Sequence, residues 1–161
     1  MKSLFVFSFG ALVLLASPVA AKGTADADQA ARAIARQTIQ LQDRDHDGRI
    51  SLKESAGAAL SMFYSIDTDQ SQLISSAEMV HATMTDVAAL KVSNSADQTA
   101  ALVASRFEVM DMDGDGSISL PEMLAVMQTV FDTADANADG FVSQNELVAL
   151  ATDRSAVAQG R

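Results

Sequence analysis

The chain has 161 residues, carries 21 acidic against 11 basic residues and contains no cysteine. That length holds one small domain or two very small ones, and without cysteine there is neither a disulfide framework nor a thiol to lipidate. A net charge of −10 argues against nucleic acid as a partner.

At the N-terminus Lys2 precedes an apolar run from Leu4 to Ala16, followed by Ser-Pro-Val-Ala-Ala. A basic start, an apolar stretch too short to span a bilayer and small residues at the end read as a secretory signal peptide over residues 1–21. Val19 and Ala21 fit the −3 and −1 positions, so cleavage is expected before Lys22. The mature chain, 22–161, is then soluble, periplasmic or secreted, with no membrane insertion after cleavage. It carries a net charge of −11.

A terminal helix is expected near residues 28–42. After it, Asp43 to Glu54 places oxygen-bearing side chains at positions 1, 3, 5, 9 and 12 of a twelve-residue stretch, with Gly48 at position 6 and Ile50 at position 8. A connector of only twelve residues, Ser55 to Ile66, leads to the next stretch. Gly57 weakens its helical character, so a short turn there is the rival. Asp67 to Glu78 repeats the pattern with a defect, because Gln72 stands where the other stretches have glycine. The sharp turn at that position needs positive φ, and a side chain there costs roughly 1 kcal/mol.

Residues 79–110 read as helix, a break at Ser93-Asn94-Ser95, then helix. Ser75 with Glu78, and Ser95 with Gln98, resemble capping boxes at the two starts. Asp111 to Glu122 repeats the first stretch, and Pro121 falls in the first turn of the next helix, where a missing N–H costs nothing. The connector Met123 to Ala134 contains no breaker and shows apolar residues at 123, 127, 130 and 134 and at 124 and 131. It predicts one amphipathic helix from about 120 to 134, roughly 22 Å long. Asp135 to Glu146 completes the series, with Asn137 at position 3, and a terminal helix follows near 144–152.

The four stretches contain 14 of the 21 acidic residues. Each is preceded, four positions earlier, by a large apolar residue: Ile39, Phe63, Phe107 and Phe131. This pattern resembles the EF-hand calcium loop, in which alternate side chains, one backbone carbonyl and a closing bidentate Glu surround a hard cation that takes six to eight oxygens. The resemblance implies ligands Asp43, Asp45, Asp47, the Arg49 carbonyl, Ser51 (directly or through water) and Glu54 in the first loop. In the second it implies Asp67, Asp69, Ser71, the Leu73 carbonyl and Glu78. The third would use Asp111, Asp113, Asp115, the Ser117 carbonyl, Ser119 and Glu122, and the fourth Asp135, Asn137, Asp139, the Phe141 carbonyl, Ser143 and Glu146. Three or four Ca²⁺ ions are implied, the second loop being the weak one. Three or four ions would bring the mature charge to −5 or −3, and without them the clustered carboxylates repel one another.

The implied fold is all-α: an EF-hand helix-loop-helix domain over 22–161, with short β-bridges between paired loops through Ile50, Ile74, Ile118 and Val142. A straight helix puts its two loops at opposite ends. Loops joined by such a helix cannot touch each other; two separate pairs, loop one with two and loop three with four, are the alternative if the connectors turn. A helix hairpin over 79–110 would instead bring loop two beside loop three, leaving loop one to meet loop four.

Signal peptide and 24-residue loop spacing are also similar to the lanmodulin type, small periplasmic EF-hand proteins that bind lanthanide ions. That type carries Pro at loop position 2, where this chain has Arg44, Thr68, Met112 and Ala136. It carries Asp at position 9, where this chain has Ser51, Ser75, Ser119 and Ser143. A trivalent ion gains from every carboxylate, so the serines favour Ca²⁺, with lanthanide binding as the alternative.

Nothing in the sequence resembles an enzyme. His46 and His81 are expected at the surface. The roles left open are a calcium buffer, a calcium-dependent structural protein, and a sensor or regulatory subunit. The last would dock an unknown protein target through a calcium-exposed groove containing Met62, Met79, Met84, Met110, Met123 and Met127. The same methionines equally fill gaps in a core short of aromatics.

Overall fold

The computed structural model describes residues 24–89 and 96–159. The signal peptide and the Ser93-Asn94-Ser95 break, with the capping box begun by Ser95, lie outside the described residues. Among those described, six helices alternate with four strands of three residues each. They run α1 (Thr24–Gln42), β1 (Arg49–Ser51), α2 (Leu52–Ile66), β2 (Leu73–Ser75), α3 (Ser76–Ala89), α4 (Ala96–Met110), β3 (Ser117–Ser119), α5 (Leu120–Ala134), β4 (Phe141–Ser143) and α6 (Gln144–Gln159). The fold is all-α, as the repeats imply. None of these helices is long and apolar enough to cross a membrane.

The two connector helices follow one rule. In α5 the buried residues are Met123, Met127, Phe131 and Ala134; in α2, beside the loop-closing Glu54, they are Ser55, Ala59, Phe63 and Ile66, at the same spacing. Steps of four, four and three keep the buried side chains on one face of a 3.6-residue helix. Gly57 does not interrupt α2, and the Ser61 hydroxyl donates to its carbonyl at 2.8 Å. Both connectors are therefore single helices, and the turn at Gly57 is not formed.

The strands pair as the connector argument requires. β1 pairs antiparallel with β4, with Ile50 opposite Val142, and β2 with β3, with Ile74 opposite Ile118. These four side chains are at most 2 % exposed. A β-branched residue flanked by two outward-facing neighbours suits a short half-buried ladder.

The chain divides into two compact units, with boundaries inside α2 and α5. One contains loops one and four, where α1 packs on α6; the other contains loops two and three, where α3 packs on α4. The core of the first includes Ala31, Ala35, Ile50, Phe131, Val142 and Leu147; that of the second includes Phe63, Ile66, Ile74, Met79, Ile118 and Met123.

Candidate metal centres

Each loop begins where a helix ends. The amides of Asp43, Asp67, Asp111 and Asp135 donate the last helical bond to the carbonyls of Ile39, Phe63, Phe107 and Phe131, at 2.8–2.9 Å. The apolar residue four places before each loop thus anchors the turn from which the loop departs.

The first aspartate then folds the loop around itself. The Asp43 carboxylate accepts the Asp47 amide at 3.1 Å on one oxygen and the Gly48 amide at 2.8 Å on the other. Asp67, Asp111 and Asp135 each accept the amides of positions 5 and 6 in the same way, at 2.9–3.1 Å. Such closure forces two residues into the left-handed region. At position 6 these are Gly48, Gln72, Gly116 and Gly140, and at position 4 His46, Gln70, Gly114 and Ala138, with φ between 55° and 87°. Gln72 thus takes the positive φ expected of it. The strain at position 4 was hidden in the sequence, where Gly114 was its one signal. The second loop bears a side chain at both positions, and each such residue costs roughly 1 kcal/mol.

The closing glutamate ties the loop's two ends together. One Glu54 oxygen accepts the amides of Arg44 (2.7 Å) and Asp45 (3.3 Å), while the other accepts the Ser51 amide (2.9 Å) and hydroxyl (2.8 Å). The Glu54 amide returns a bond to the Ser51 hydroxyl at 3.3 Å. This reciprocal pair is a capping box, and it recurs as Ser75 with Glu78, Ser119 with Glu122 and Ser143 with Glu146. The Ser-x-x-Glu spacing was legible in all four loops, although sequence reasoning used it only at Ser75. In the fourth loop the Ala136 amide turns back to the Ala134 carbonyl, and Glu146 receives the Asn137 amide at 3.4 Å.

These bonds keep the glutamates ionised. Burial pushes the Glu54 carboxyl up, but the amide and hydroxyl of Ser51 and the amides of Arg44 and Asp45 together hold it at about 2. The Ser75 amide leads in lowering Glu78 to about 2, and the Ser119 hydroxyl leads in lowering Glu122 to about 2. Glu146 is also lowered: burial opposes this, while the amide and hydroxyl of Ser143 and the Asn137 amide outweigh it.

Three trios of carboxylates converge: Asp43, Asp45 and Glu54; Asp67, Asp69 and Glu78; and Asp111, Asp113 and Glu122. Each offers oxygens within 4.8 Å of one another. Oxygens on opposite sides of one Ca²⁺, each at 2.3–2.6 Å, are about 4.6–5.2 Å apart, so the spacing fits a single ion of that size. Every donor is a hard oxygen, as a hard cation requires. In the fourth loop Asn137 stands at position 3, and no all-carboxylate trio forms among its described residues. His46 and His81 are exposed.

A protein-family model described as EF hand matches residues 35–54, 102–127 and 127–151. The three matched segments are EF hands. The matched segments contain the first and third loops and the fourth in full, but not the second, the loop with Gln72 at position 6. No curated protein matches the chain.

The second loop differs in its ligand atoms as well as its backbone. The Ser71 hydroxyl donates to the Leu73 carbonyl at 3.0 Å, so two oxygens expected to face an ion partner each other. Ser71 also accepts the Leu73 amide, at 3.4 Å. In the other loops position 5 is an aspartate, which has no proton to give that carbonyl and accepts the position 7 amide at shorter range: Asp47 from Arg49 at 2.9 Å, Asp115 from Ser117 at 2.8 Å and Asp139 from Phe141 at 3.0 Å. The remaining carboxylates of the second loop nonetheless converge as in the first and third.

Proposed function

We propose that the chain is an exported, non-enzymatic calcium-binding protein that holds three ions, in loops 43–54, 111–122 and 135–146. The observation that carries this reading is the convergence of hard carboxylate oxygens, in the first and third loops, at the spacing one Ca²⁺ requires; the fourth loop, without such a trio, rests on the family match over residues 127–151. Asp43, Asp45, Asp47, the Arg49 carbonyl and Glu54 would hold the first ion, with Asp111, Asp113, Asp115, the Ser117 carbonyl and Glu122 holding the next. The fourth loop would use Asp135, Asn137, Asp139, the Phe141 carbonyl and Glu146. Bound ions neutralise carboxylates that otherwise repel one another, so ion binding adds to the stability of the ordered fold.

The serine at position 9 supports a divalent ion. Its hydroxyl donates to the closing glutamate in every loop and adds no charge. Ser71, bonded to Leu73, supports an empty second loop kept for its strand contact with the third. Export rests on Lys2, the apolar run to Ala16 and the small residues before Lys22.

Buffering or a structural role is favoured over sensing. Met79, Met123 and Met127 are buried, whereas Met84 is 53 % exposed. Three of the six methionines that a target groove would use are thus already in the core, and Met62 and Met110 are half-buried.

Calorimetric titration of metal-stripped residues 22–161 tests the reading. Three calcium ions are expected, and a protein that retains none would overturn it. A hydrophobic dye that brightened on adding calcium would restore the sensor role. N-terminal sequencing of protein recovered outside the cytoplasm should begin at Lys22.

A further inference from the structure

We propose that Arg49 is a positioning residue that couples ion binding at the first loop to ion binding at the fourth, by holding the Asp47 carboxylate against the ring of Phe141. The inference rests on the calcium reading and adds a linkage between two of its sites.

The ladder sets the geometry. Arg49 lies opposite Ser143, and Ser51 opposite Phe141. Side chains alternate along a strand, so Arg49 and Phe141 emerge on the face away from buried Ile50 and Val142, as diagonal neighbours. Diagonal pairs are about 7–8 Å apart at the backbone, within reach of a long side chain. The Arg49 guanidinium carbon lies 3.9 Å from the Phe141 ring centroid. One terminal nitrogen donates to Asp47 at 3.2 Å, and the Arg49 amide donates to the other Asp47 oxygen at 2.9 Å.

Asp47 is the position 5 ligand of the first loop, so its orientation depends on a ring belonging to the fourth. Phe141 in turn supplies the position 7 carbonyl there. An exposed ion pair alone contributes little. The ring makes it directional, because a flat guanidinium can stack on an aromatic face while its edge meets a carboxylate. The other pair has no such link: its position 7 residues are Leu73 and Ser117, neither of them a cation or an aromatic. Linkage of this kind therefore belongs to the first and fourth loops alone.

The test uses residues 22–161 with Arg49→Gln, Phe141→Leu and both together. Each substitution leaves the backbone carbonyl in place. Calcium titration is followed by the amide resonances of Gly48, Gly140 and, as control, Gly116. In the unaltered protein Gly48 and Gly140 should share one midpoint. Either single change should separate those midpoints by about twofold to fivefold, the double change should separate them no further, and Gly116 should not move. Arg49→Lys keeps the charge but loses the flat fork, and should fall between. Parallel shifts of both midpoints, or additive effects in the double variant, would overturn the proposal. If the unaltered protein takes up no calcium, the ion reading fails and the linkage with it. In that event the ring-shifted Arg49 side-chain resonances of metal-free protein, lost in Phe141→Leu, still report whether the contact forms.

Discussion

The Ser71 hydroxyl donates to the carbonyl of Leu73 at 3.0 Å, across the part of the second loop where its sisters would turn oxygens toward an ion. A neutral donor at position 5 lets the loop satisfy itself. We expect the chain to bind three calcium ions and the double substitution Ser71→Asp, Gln72→Gly to bind four. The new aspartate would accept the position 7 amide and free the carbonyl, and glycine would remove the strain at φ 68°. Calorimetric stoichiometry decides it; a fourth ion already present in the unaltered protein would reject this account.

Closing glutamates can be tested without unfolding the helices they cap, because glutamine also completes a capping box. Glu122→Gln should abolish one high-affinity calcium event, while Glu78→Gln should leave the number of events unchanged. Equal losses from the two would mean that the second loop is filled.

Acid should reveal how the serine hydroxyls act. Glu54 is held at about 2 against an ordinary 4.5, so its stabilising contribution is complete above pH 4.5 and disappears as the pH falls toward 2. Ser51→Ala removes one donor and an N-cap, and should cost about 1 kcal/mol at neutral pH. Urea unfolding of both metal-free proteins should show that difference constant from pH 7 to 5 and shrinking below 4.5. A difference that grew toward pH 3 would contradict the assigned cause.

Ser55 is fully buried, and its hydroxyl has no hydrogen-bond partner among the described residues. At the equivalent place after the other three glutamates stand Met79, Met123 and Leu147, all buried and apolar. Ser55→Ala should stabilise the calcium-loaded protein by about 1 kcal/mol, since an unsatisfied buried hydroxyl costs at least that much. Thermal unfolding should show a rise of about 3 °C. A fall instead would mean that the hydroxyl is satisfied.

Much of this was readable from residue spacing. The four repeats, the unbroken second connector and the favoured nested pairing of the loops follow from where Asp, Glu and apolar residues recur, whereas Gly57 left the first connector open between a helix and a turn. α5 runs over the residues expected for it, with burial at Phe131 rather than Val130. What stayed hidden depends on three-dimensional closure. Nothing in His46 or Ala138 announces a left-handed backbone, and nothing in Arg49 announces Phe141, a residue far along the chain.

The nested strand pairing, β2–β3 inside β1–β4, also bears on when each half can form. β2 and β3 come from one contiguous segment, whereas β1 must wait for β4, more than ninety residues downstream. Lengthening the intervening chain twofold changes the closure cost by only about 0.6 kcal/mol, so the two halves need not differ much in final stability. They differ in timing. At roughly 5–20 residues per second, the ribosome releases everything the inner half needs several residues, and a measurable delay, before it supplies β4. A truncation or fusion that disturbs α6 should therefore harm the outer half and leave the inner one able to assemble.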